Sequence, residues 1–112
     1  MSYWVSLYTN VDTGGPEPVR VELADIGNYT SNVHPMWSEA LGCSLSDFKE
    51  SSAEDALEDL QRAVGAMEAD PARYEAMNPP NGWGNYEGAL NYLRRLRDAC
   101  ASHPKATIHL SH

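Results

Sequence analysis

Strand-type alternation appears only at the two ends of this 112-residue chain, and the stretch between them reads as helix or irregular segment. That distribution constrains the fold more than any other feature, because a sheet assembled from both ends must pack on a helical middle. Tyr3 to Thr9 (Tyr-Trp-Val-Ser-Leu-Tyr-Thr) is aromatic and β-branched, with large side chains on both faces, as in a central strand. Asn10 to Glu17 is rich in turn formers and predicts a long hairpin connection. Pro18 to Ala24 then alternates, which predicts Val19, Val21 and Leu23 inward and Arg20 and Glu22 outward on an edge strand. Ala106 to Leu110 alternates again as the closing strand.

The middle of the chain has helical spacing. Pro35 to Gly42 predicts a short helix with Met36, Trp37, Ala40 and Leu41 on its apolar face. A longer helix starts at Ser51 or Ser52, where Ser52-Ala53-Glu54-Asp55 approximates a capping box. Its apolar residues recur at Ala53, Ala56, Leu57, Leu60, Ala63, Val64 and Met67. Asp70-Pro71 breaks it and starts a short turn to Met77. A last helix runs from about Asn85 to Ala101, with Tyr86, Ala89, Leu90, Leu93, Leu96 and Cys100 on one face. The result is one α+β domain spanning residues 1–112. A small antiparallel-type three-stranded sheet, the N-terminal hairpin plus the C-terminal strand, packs with about four helices.

Cys43 and Cys100 read first as two buried thiols and second as a disulfide. No apolar run approaches the ~18–20 residues a bilayer span needs, and Met1-Ser2-Tyr3-Trp4 lacks the regions of a signal peptide. The expected location is therefore cytoplasmic, with no membrane contact.

Two segments read as uncharged loops rich in amides: Ile26 to Asn32 and Asn78 to Tyr86. Amides and hydroxyls offer directional hydrogen bonds, and aromatic rings offer flat stacking surface. The candidate ligand contacts are Asn28, Tyr29, Thr30, Asn32 and Trp37 on one side, and Asn81, Trp83, Asn85 and Tyr86 on the other. Gly82, Gly84 and Gly88 would let backbone approach a ligand closely. This chemistry suits a neutral or heterocyclic small molecule or a peptide. The alternative is structural: Asn and Gly are ordinary turn and cap residues, and Trp37 and Trp83 can serve as core.

The formal charge is −8 at pH 7, which makes direct nucleic-acid binding unexpected. Residues 39–75 hold ten acids against three bases. Glu54, Asp55, Glu58 and Asp59 on the main helix are either a solvated face or a docking face for a basic host protein. His34, His103, His109 and His112 share no metal-ligand spacing, and no nucleophile motif stands out. Glu87 is the one carboxylate near the second amide-rich segment, where complementing a helix dipole is its ordinary role. No catalytic set, metal or cofactor is expected.

Several strings carry a wider likeness: Asn28-Tyr29-Thr30-Ser31-Asn32-Val33, Pro35-Met36-Trp37 with Ala40-Leu41-Gly42, Met77-Asn78-Pro79, Asn81-Gly82-Trp83-Gly84, Tyr86-Glu87-Gly88, and Pro104 to Ile108. In these the chain resembles a group of small proteins of actinobacterial phages and some of their hosts, from Trp4 to the last strand. The resemblance implies a cytoplasmic accessory protein of phage type and implies no reaction. Lys49-Glu50-Ser51-Ser52 stands where that group would have a Gly-containing turn.

Overall fold

The computed structural model describes residues 2–112. Strands β1 (Ser2–Val11), β2 (Val19–Thr30) and β3 (Thr107–Ser111) form an antiparallel sheet in the order β2-β1-β3. The two-sided first run is thus central, flanked by its hairpin partner and the C-terminal strand. Helices α1 (His34–Leu41), α2 (Ala53–Ala69), α3 (Pro71–Glu75) and α4 (Tyr86–Ser102) supply the second layer. The class is α+β.

Helix boundaries follow capping chemistry. Ser52 accepts from the Asp55 amide at the start of α2, Asp70 accepts from Arg73 ahead of Pro71, and Asn85 accepts from Gly88 at the start of α4. Gly42 ends α1 in the left-handed conformation. The full capping box is at Ser44 and Asp47, on a 3-10 turn over Leu45–Phe48 that the periodicity does not reveal. Tyr3, Val5 and Leu7 of β1 meet Met36, Trp37, Leu60, Val64, Leu93 and Leu96 in one core. Glu50 holds φ 66 where a glycine would be unstrained. Its carboxylate accepts from the Tyr8 hydroxyl at 2.5 Å and its amide donates to Ile108 at 2.8 Å.

Two expectations for β2 fail. The Ile26–Asn32 segment is not a loop: β2 continues to Thr30, because Tyr29 and Asn28 pair with Tyr3 and Trp4. Ile26 and Leu23 are left unpaired as bulges, which disguises the alternation. Val19, Val21 and Leu23 are not inward but exposed. The hairpin extends beyond the helices in a molecule 53 Å long and 18 Å thick, so the face that buries Leu7 has nothing over it further out. Periodicity assigns residues to a common face but does not supply the layer that covers it.

Both cysteines are free thiols; Cys100 is buried and Cys43 half-buried. Desolvation, followed by Asp47 and Asp59, raises the pKa of Cys43. Burial pushes Cys100 from 9.0 up to about 11. Since the folded pKa lies above the unfolded one, the stabilisation is complete below the unfolded value and is lost as pH rises through the folded value. Denaturation midpoints should therefore fall between pH 9.0 and about 11. Cys100→Ala should flatten that fall by at most ~1.4 kcal/mol per pH unit; an unchanged slope would place the thiol outside the core.

Candidate functional site

The two amide-rich segments meet. The Tyr29 hydroxyl accepts from the Asn85 amide at 3.2 Å. A methyl group on Gly84 would lie 2.5 Å from Thr30 Cγ2 and 2.8 Å from Val33 Cγ1, so the loop backbone rests directly on the end of β2. One on Gly88 would overlap the Tyr29 hydroxyl at 1.9 Å. Gly84 and Gly88 thus make room for the protein's own side chains.

Between the segments lies a cleft of about 630 Å³. Asn28, Tyr29, Thr30 and Asn32 form one wall, Asn81, Trp83 and Gly84 the other, and Ser2 the end. Ser2 is the residue sequence reading misses; it joins because β1 pairs it with Thr30. The loop wall is built by local turn chemistry. Asn81 accepts from the Trp83 amide at 2.9 Å, and Gly82 and Gly84 take φ 77 and 87. These turns hold the Trp83 side chain outward, 68% exposed.

The cleft's hydrogen-bonding capacity follows from what is already used. Thr30 Oγ1 accepts from the Asn32 amide at 3.3 Å and from Asn32 Nδ2 at 2.8 Å. That leaves the Asn32 carbonyl as acceptor and the Thr30 hydroxyl proton as donor. Asn81 spends its side-chain carbonyl on Trp83 and keeps its amino group, and the Asn28 side-chain amide makes no hydrogen bond within the described residues. Among the described residues, the lining has donors and acceptors, one large exposed ring, and no charged side chain.

Three of the nine candidate contacts lie elsewhere. Trp37 is fully buried, its indole N–H donating to the Ala89 carbonyl at 3.1 Å, so it is core rather than cleft wall. Asn85 is a helix cap, and the Tyr86 hydroxyl donates to the Met67 carbonyl at 2.6 Å. Burial raises the Tyr86 pKa. Both residues line a smaller depression with Glu75, Asn78 and Glu87 instead. Helix start and cap geometry turns them away from Trp83. His112, at the chain end, stacks on Tyr3 with ring centroids 5.0 Å apart.

The charged surfaces are partly neutralised. Glu54 pairs with Lys105 at 3.4 Å and Asp59 with Arg62 at 3.1 Å, leaving Asp55 and Glu58 of the four helix acids without an ion pair among the described residues. Arg94 pairs with Glu68 at 2.6 Å, Arg97 with Asp98 at 2.9 Å, and Arg73 with Glu39. Among the described residues, no helix is long and apolar enough to cross a membrane, and no group of three His, Cys, Asp or Glu could hold a metal ion.

No family model, curated protein or solved structure matches the chain.

Proposed function

We propose that this is a non-enzymatic accessory binding protein whose cleft takes an uncharged ligand with a flat face, either a small molecule or a short peptide. The observation that carries this reading is the convergence of two uncharged segments on one cleft beneath a 68% exposed Trp83. An exposed indole gains little from folding, whereas stacking on a ligand would remove it from water. The unused Asn28, Asn32 and Asn81 amide groups would then fix the ligand's orientation, as convergent polar groups do in binding pockets. Among the described residues the lining has no carboxylate, imidazole or thiol, which favours recognition over proton transfer or nucleophilic attack.

Native mass spectrometry of protein purified from its host tests the reading directly by detecting retained small molecules. Titration of uncharged nucleobases, sugars and capped peptides, followed by tryptophan fluorescence, supplies the second measurement. A bound ligand should quench or shift the Trp83 emission. Trp83→Ala should then weaken affinity by ~10–100-fold while leaving stability within about 0.5 kcal/mol. If no retained ligand is found and no compound perturbs the emission, the cleft is not a binding site.

A further inference from the structure

The sheet has two outer edges, and each is closed only in part. Beside β3, Ser51 accepts from the Ile108 amide at 2.9 Å, while Glu50 and Ala53 donate to Ile108 and Ala106 at 2.8 Å. Those bonds close this edge at Ala106 and Ile108. On the β2 edge, the Ile26 carbonyl accepts from Arg95 at 2.7 Å and the Gly27 carbonyl from the Tyr92 hydroxyl at 2.8 Å, so α4 closes that half. The remaining half, Val19 to Leu23, lies on the projecting arm. Among the described residues, nothing bonds its outward backbone groups.

An open edge is a template for another strand. Here the side chains specify which one. We propose that the arm pairs with the same arm of a second copy of this chain, antiparallel, about a two-fold axis at Val21. In that register Arg20 of each copy faces Glu22 of the other, on one face of the sheet. Val21 faces Val21 of the second copy, and Val19 faces its Leu23, on the opposite face. Opposite charges and aliphatic pairs set directly across from each other are the favourable cross-strand combinations. A two-fold interface requires this kind of self-complementarity.

Two further observations support the register. Neither Arg20 nor Glu22 forms an ion pair within the described residues; Arg20 lies over the Tyr8 ring at 3.5 Å, on the face that also carries Glu22. Val11, Val19, Val21 and Leu23 are all exposed large apolar side chains on this arm, and water leaves their flanks when two arms join. Pro18 ends the pairing on one side and the Leu23 bulge on the other. So short an interface gives a weak, concentration-dependent dimer rather than an obligate one.

Sedimentation equilibrium between about 10 µM and 1 mM covers the expected range of association. The wild-type chain should dimerise within it. Arg20→Glu and Glu22→Arg should each weaken the dimer by roughly tenfold or more, because each sets like charges across the axis twice. An equimolar mixture of the two variants should recover association, since every reversed charge then meets its opposite, and that recovery also shows that both variants fold. A chain that stays monomeric to about 1 mM overturns the proposal. So does dimerisation indifferent to both substitutions, or a mixture that associates no better than its components. The cleft does not enter this outcome, so it stands or falls separately from ligand binding.

Discussion

Trp37→Ala is expected to lower the free energy of unfolding by about 3–5 kcal/mol, the largest effect of any single substitution considered for this chain. Trp37 is fully buried where α1 meets the sheet and α4. Its ring lies edge-on to Tyr3 at 5.5 Å and 79°, and its centroid is 5.5 Å from that of Tyr92 and 6.2 Å from that of Tyr29. Truncation leaves a cavity among rings that cannot collapse into it and removes the donor to Ala89. A domain of this size has only about 5–15 kcal/mol in total, so the variant should unfold at much lower urea or be largely unfolded at 37 °C. Trp37→Phe keeps most of the ring area and should cost less than half as much. The check is the urea midpoint at constant m-value. A loss below about 1 kcal/mol for Trp37→Ala would contradict the core position described here. Trp83→Ala is the internal contrast, because the same chemical truncation removes far less buried surface from a side chain that is 68% exposed.

Gly84→Ala should destabilise by about 2–5 kcal/mol and also disrupt the cleft. Two independent penalties meet at this residue. Its φ of 87 is left-handed, which costs a residue with a Cβ roughly 1–2 kcal/mol, and the added methyl would lie 2.5 Å from Thr30 Cγ2 and 2.8 Å from Val33 Cγ1. Overpacking of that kind typically costs about 1–3 kcal/mol. Gly82 separates the two contributions: its φ is 77, yet a methyl there meets nothing within 4 Å. Gly82→Ala should therefore show the backbone penalty alone, about 1–2 kcal/mol. Paired denaturation curves measure the difference. If the two variants lose equal stability, the loop does not rest on the end of β2, and the cleft loses one wall.

Much of this was legible from local patterning. The apolar spacing from Ala53 to Met67 and the Ser52, Asp70 and Asn85 caps mark the helices because caps and one-face periodicity are properties of contiguous residues. The central position of β1 was legible for a similar reason, since its large residues fall on both faces. The extension of β2 through Asn28 and Tyr29 was not. Glycine, amides and two bulges give that stretch a loop's composition, and only its pairing with Ser2 to Trp4 holds it extended. Of the candidate contacts, Asn28, Tyr29, Thr30, Asn32, Asn81 and Trp83 share the cleft, while Trp37, Asn85 and Tyr86 do not. Composition selects residues able to meet a ligand but does not state which way each one points.

The two tryptophans of these segments mark the boundary between the two kinds of information. Local patterning places Trp37 on the apolar stripe of a helix between Pro35 and Gly42, and Trp83 in an Asn- and Gly-rich turn. Both are statements about neighbours in the chain. Long-range packing makes the first core and leaves the second exposed over a cleft, and it leaves Val19 and Val21 alternating yet exposed. Burial depends on whether a second layer reaches a given point, and that is fixed by the lengths and packing of distant elements rather than by the residues beside it.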